Sequence, residues 1–209
     1  MNICVFGTTL QAGVLAGLFA EYGHHVYWCP QVGADHQSSV HYQDEDLNQL
    51  IQKQIKNNSI QLVGLKQLQL QSEVFLFSFN PSEFDQAKHL AEQLKHFPII
   101  HPRLMINGST FGLQGTEELK QILVADYWAY LPDTIQEGNA IQSFIDLKQV
   151  IVGVDQSATQ QIIKELLRPF FQLKHQYLFM PFLDAEFTKL SISGMLATRI
   201  SYMNDMAQV

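Results

Sequence analysis

Short apolar runs recur along this chain without polar alternation, and stretches with helical spacing separate most of them. NICVFG (2–7), HVYWC (25–29), IQLVG (60–64), EVFLFSF (73–79), RLMING (103–108), DYWAYL (126–131), QVIVGV (149–154) and QYLFM (176–180) are the runs. A strand that is apolar on both faces needs cover on both faces, which is the signature of a parallel sheet. Helical spacing fills the gaps. Residues 10–22 carry Val14, Leu15, Leu18 and Phe19 on one face, with Gly23 as the left-handed terminator, and residues 44–56 carry Leu47, Leu50, Ile51 and Ile55. A third helix is expected from Pro81 and Ser82 to about Lys95. Ser157 with Gln160 reads as a capping box opening a fourth, which carries Ile162, Ile163, Leu166, Leu167 and Phe170. Strand and helix in turn predict an α/β fold: a doubly wound, mostly parallel, Rossmann-like sheet.

The end of the chain breaks the alternation. From about Asp184 to Val209 it reads as one long helix with no strand after it. Ile192, Leu196, Ile200 and Met203 form one stripe, and Phe187, Leu190, Met195 and Met206 widen it. So broad an apolar surface is expected to be buried, against a further domain or a second chain. The predicted division is therefore 1–183 for the Rossmann-like domain and 184–209 for the start of a long helix, with a homodimer or a partner chain docking on that helix.

Charge and cysteine usage narrow the function classes. Net charge is -7, and the 13 lysines and arginines are scattered, which argues against a nucleic-acid surface. No apolar run is long enough to cross a bilayer and no basic leader precedes the first strand, so the reading is cytoplasmic, without membrane contact. Cys4 and Cys29 fall in two expected core strands and read as buried thiols, and the eight histidines lack zinc-ligand spacing, so no metal is expected.

The loop GTTLQAG (7–13) follows the first strand, where a dinucleotide fold carries three glycines. The first permits the tight turn, the second lets amides approach the pyrophosphate, and the third lets helix and strand pack closely. Those places hold Gly7, Thr9 and Ala12. A threonine at the second place crowds the diphosphate seat, although its hydroxyl could bind an isolated phosphate and the helix amides could still hold an anion. The acidic residue that grips the adenosine ribose should end the second strand, where Pro30 stands; Asp35 lies nearby in the wrong context. Two readings stay open: a working NAD loop, or a domain that kept its turn and lost its cofactor.

Longer stretches are more specific. NICVFGTTLQAGVLAGLFAEYGHHV resembles the first strand, loop and helix of the UDP-glucose/GDP-mannose 6-dehydrogenases. LMINGSTFGLQGTEELKQIL is similar to their strand, Ser-Thr pair and Gly-Thr helix start, and LPDTIQEGNAIQSF resembles their Asn-Pro-Glu-Phe-Leu-Arg-Glu-Gly signature. QVIVGV follows at the family's distance, and AEFTKLSISGMLATRISYMNDMAQV looks like their long central helix, through which members dimerise.

The resemblance implies a chemistry. Such enzymes use two NAD molecules in succession to oxidise a sugar C6 alcohol to a carboxylate. A cysteine forms a thiohemiacetal and then a thioester, with a lysine, an ordered water and a glutamate assisting. The resemblance places the catalytic lysine on Lys189, the water-holding threonine on Thr110 and the signature glutamate on Asp133, one methylene shorter. Cofactor contacts fall on Gly7, Thr8, Thr9, Leu10, Asn80, Pro81, Thr110 and Glu137, and the helix asparagine falls on Ser193. The family's nucleophilic cysteine belongs to a substrate domain beyond the helix, and Cys4 and Cys29 lie on the wrong strands to replace it. This polypeptide alone is expected to be impaired or inactive as an oxidoreductase. Each retained residue also has a plain structural reading: Lys189 as a solvated helix lysine, Thr110 and Asp133 as turn residues. A cofactor-binding enzyme domain and a non-catalytic dimeric scaffold are the two function classes.

Overall fold

The computed structural model describes residues 1–30, 40–65, 72–96, 104–173 and 176–208. Asp35, Arg103 and most of the polar stretch expected at 31–43 lie outside these residues. Eight strands form one sheet: β1 (Asn2–Phe6), β2 (His25–Cys29), β3 (Ile60–Leu62), β4 (Val74–Phe77), β5 (Leu104–Asn107), β6 (Tyr127–Tyr130), β7 (Val150–Val154) and β8 (Tyr177–Met180). Their order is β3-β2-β1-β4-β5-β6-β7-β8. All neighbours are parallel except β6 and β7, which pair antiparallel at Ala129↔Val154 and Tyr130↔Gly153.

The uninterrupted apolar runs bury both faces, as the pleat requires. Ile3, Val5, Val74 and Leu76 point into one core, with helices α1 (Leu10–Glu21), α2 (Glu45–Lys56), α5 (Ala140–Ile145) and α6 (Ser157–Leu167) around it. Cys4, Phe6, Phe75 and Phe77 point into the other, covered by α3 (Phe84–His96), α4 (Gly115–Ile122) and the start of α7 (Phe182–Met206). One face of α1 was expected to be apolar, yet every residue from Gln11 to Ala20 is buried, because α1 lies between the sheet and α2. A Cβ at Gly17 would come within 2.9 Å of Leu50, so glycine there admits α2.

Several boundaries differ from expectation. Ser157 is the first helical residue of α6, Gln156 is its N-cap, and no side chain caps it. The capping box is therefore absent; Thr159 instead donates its hydroxyl to Asp155, which also pairs with Lys120 at 2.9 Å. The helix expected at Pro81 opens as a 3-10 turn, Pro81–Glu83, before α3 begins. The long helix starts at Phe182, two residues early, because its first turn is a packing element. Phe182, Ala185 and Glu186 are buried, and a Cβ at Gly153 of β7 would press on Ala185 and Phe182 at 3.2 Å. Beyond Lys189 the helix leaves the sheet. Phe187 is 62% and Met203 64% exposed, so the stripe expected to be buried is uncovered in the single chain. No described helix is long and apolar enough to cross a membrane.

Candidate functional site

Strand order reverses between β1 and β4, so the loops after these strands diverge and leave a crevice at their C-terminal ends, the topological switch point. A crevice of about 280 Å³ lies there. Thr9 and Leu10 line it from the β1 loop, Phe79, Asn80 and Pro81 from the β4 loop, and Gly108, Ser109 and Thr110 from the β5 loop. Asp133, Ile135 and Glu137 come from the segment after β6, and Lys189 from α7. Two loop segments and one helix thus bring together Thr110, Asp133, Glu137 and Lys189, which stand as much as 79 positions apart in sequence. Gly7 and Thr8 do not line the crevice. Thr8 is exposed, and Gly7 sets the turn at φ 102°, where an added Cβ would meet the Ser78 carbonyl oxygen at 2.0 Å. A larger crevice of about 340 Å³ opens beside Lys164 of α6 and Arg168 at its C-cap. It gathers none of the residues singled out by sequence and sits away from the switch point.

The loop itself is built from hydroxyl and amide bonds. Thr9 is the N-cap of α1, and its Oγ1 accepts from the Ala12 N–H at 3.2 Å. The same hydroxyl meets Ser78 Oγ at 2.5 Å. Ser78 Oγ donates to Gln11 Oε1 at 2.9 Å, and Gln11 Nε2 donates to the Leu131 carbonyl at 2.9 Å. Gln11 is 2% exposed, and a Cβ on Gly108 would come within 2.2 Å of its Oε1, so glycine at 108 makes room for the amide. Trp28 donates its indole N–H to the Gly7 carbonyl, and the Tyr42 hydroxyl donates to the Thr9 carbonyl. At the end of β2 Pro30 is buried and offers no carboxylate.

The ionisable groups of the crevice come from the segment after β6 and from α7. Lys189 donates its ammonium to the main-chain carbonyl of Asp133. Burial pushes the Asp133 carboxyl above its ordinary range, opposed by the Ile135 N–H that it accepts at 3.0 Å and by the Lys189 charge. Thr110 is hydrogen-bonded to the Tyr130 hydroxyl, whose pKa burial drives well up. One turn before Lys189, buried Glu186 accepts from the backbone N–H of Gln114 at 2.7 Å and of Thr116 at 2.9 Å. That carboxylate ties α7 to the N-terminus of α4, where negative charge is favoured. Asn107 continues the ties, donating to Thr116 Oγ1 and accepting from the Ser109 N–H.

Sequence reading missed Gln11, Ser78, Tyr42 and Glu186. Gln11 and Glu186 had a signal, a lone polar residue on a face that packing must bury. Ser78 had none inside its apolar run. Cys4 and Cys29 lie in the sheet and do not line the crevice, with their thiols pushed up by burial to about 12 and about 11. Among the described residues no group of three or more His, Cys, Asp or Glu is placed to hold a metal ion.

No protein-family model matches the chain. The UDP-glucose 6-dehydrogenase of Pseudomonas aeruginosa is 34% identical over 76 residues, covering 36% of this chain and 17% of that protein. The UDP-glucose 6-dehydrogenase YwqF of Bacillus subtilis is 24% identical over an alignment covering 100% of this chain and 51% of its own. Among solved structures, a GDP-mannose dehydrogenase from Pseudomonas aeruginosa superposes with a TM-score of 0.77 at 15% identity, over 98% of this chain and 52% of that one. A UDP-glucose dehydrogenase from Pyrobaculum islandicum gives a TM-score of 0.79 at 15% identity, with the same coverages of 98% and 52%. This chain therefore spans about half the length of its full-coverage relatives, and the fold is theirs over that half.

Proposed function

We propose that this chain, related in sequence and fold to the N-terminal, NAD-binding half of the UDP-glucose/GDP-mannose 6-dehydrogenases, is a ligand-binding domain that by itself does not oxidise a nucleotide sugar. Its crevice descends from an NAD site. The observation that carries the reading is the convergence of Thr110, Asp133 and Lys189 on that crevice with no thiol among its lining residues. A carboxyl, a hydroxyl and an ammonium can orient a ligand and move a proton. The thioester route needs a nucleophilic sulfur, and both cysteines of this polypeptide are sealed in the sheet. The purified 209-residue chain, given UDP-glucose and NAD, is expected to form NADH at the background rate. Steady turnover would overturn the reading.

A dimeric scaffold is the second part of the proposal, and the uncovered stripe Ile192, Leu196, Ile200 and Met203 favours it. A patch of this kind on a monomer marks an interaction surface, and a twofold pairing of two such helices would cover it. Light scattering is expected to give a dimer, and Leu196→Glu a monomer. A wild-type monomer at high concentration would remove this part.

A further inference from the structure

The hydrogen directions in the β1 loop are fixed by one group. The Leu131 carbonyl can only accept, so the atom of Gln11 facing it at 2.9 Å is the NH2 group. The other amide atom, Oε1, is then an acceptor, and Ser78 Oγ, 2.9 Å away, must give it its only hydrogen. With that hydrogen spent, the 2.5 Å contact between Ser78 and Thr9 is satisfied only by the Thr9 hydrogen. Thr9 Oγ1 meanwhile occupies the Ala12 N–H, one of the helix amides that would otherwise reach an anion. Neither hydroxyl therefore has a hydrogen left for a ligand: both are spent within the protein, and of the two only Thr9 is more than 1% exposed, leaving a lone pair toward the crevice. The carboxyl groups of Asp133 and Glu137 stand in the same crevice, and its one ammonium, on Lys189, is engaged by the Asp133 carbonyl.

A phosphate has acceptors only, and an acceptor-rich wall repels it; an alcohol donates a hydrogen to each such lone pair. We propose that this crevice selects an uncharged, multiply hydroxylated ligand, a monosaccharide or a nucleoside, and turns away the diphosphate of a dinucleotide. At about 280 Å³ the crevice lies just below the usual range for ligand pockets, about 300–1,000 Å³, which suits a small ligand. The inference rests on reading this crevice as the ligand site of the chain.

The test is titration calorimetry on the purified chain with five probes: glucose, adenosine, nicotinamide riboside, inorganic pyrophosphate and NAD. Saturable heat is expected from glucose or from one of the nucleosides, and none from pyrophosphate or NAD. Glucose binding alone assigns a sugar site, and nucleoside binding alone a nucleoside site; both support the proposal. Thr9→Gly frees the Ala12 N–H and the seat, and is expected to improve NAD affinity by at least about tenfold, the worth of one charge-assisted hydrogen bond. Thr9→Ser keeps the hydroxyl and is expected to behave as wild type, with thermal melts checking that both variants fold. Wild-type binding of NAD or pyrophosphate within a few fold of Thr9→Gly would overturn the selectivity. Gain of NAD binding in Thr9→Gly without any hydroxylated probe binding wild type would overturn the ligand class and leave the crevice standing as a site. Silence of every probe on every folded variant would overturn the crevice reading and this proposal together.

Discussion

Removing the Glu186 carboxylate tests whether α7 is held to the domain by charge at the start of α4. Glu186 is 3% exposed and accepts two backbone N–H bonds, from Thr116, which is buried, and from Gln114, which is exposed. Gln114 is also held at φ 69°, a left-handed backbone that a non-glycine residue adopts only when its surroundings insist. A buried donor stripped of its partner costs about 1–3 kcal/mol, and bonds to a charged acceptor stand at the upper end. The Thr116 amide loses its whole bond in Glu186→Ala, whereas water can partly replace the bond at Gln114. Together the loss comes to about 2–4 kcal/mol, or roughly 5–15 °C of melting temperature for a chain of this size. Glu186→Gln keeps one acceptor and should lose about half as much. Urea denaturation of wild type and both variants gives the energies, and hydrogen exchange at the Thr116 amide locates the change. A loss below about 1 kcal/mol in Glu186→Ala, with the Thr116 amide still protected, would refute the reasoning.

Gly108→Ala sets a Cβ 2.2 Å from Gln11 Oε1, so it should destabilise by about 1–3 kcal/mol and cost clearly less in a Gln11→Ala background; equal costs in the two backgrounds would show that the amide is not the obstacle. Cys4 and Cys29, with thiols near 12 and 11 and no exposed surface, should resist a thiol reagent in the native state and react once the chain is unfolded. Asp133 holds its proton more tightly folded than unfolded, so it costs stability as pH rises past the ordinary carboxyl pKa of 3.8. Asp133→Asn should therefore match or exceed wild-type stability at neutral pH, with the difference shrinking below that pKa; a variant weaker only at neutral pH would reverse the sign.

The amino-acid sequence by itself determined the sheet and its cover. Runs such as EVFLFSF bury whichever residue faces either side, and that property needs no tertiary information. Lys189, Thr110 and Asp133 came forward as a candidate set only through the resemblance to a known family, which the order of motifs along the chain carried. Only the tertiary structure decided how the loop after β1 is bonded. Thr9 read as an obstruction in sequence, whereas in space its hydroxyl caps α1 and spends its hydrogen on Ser78, 69 positions away. The direction of that hydrogen depends on the Leu131 carbonyl, which reaches the loop through Gln11 across 120 positions. Local pattern fixes which faces must be covered, since burial is a per-residue property. Which lone pairs face a ligand depends on partners that only the folded chain brings into contact.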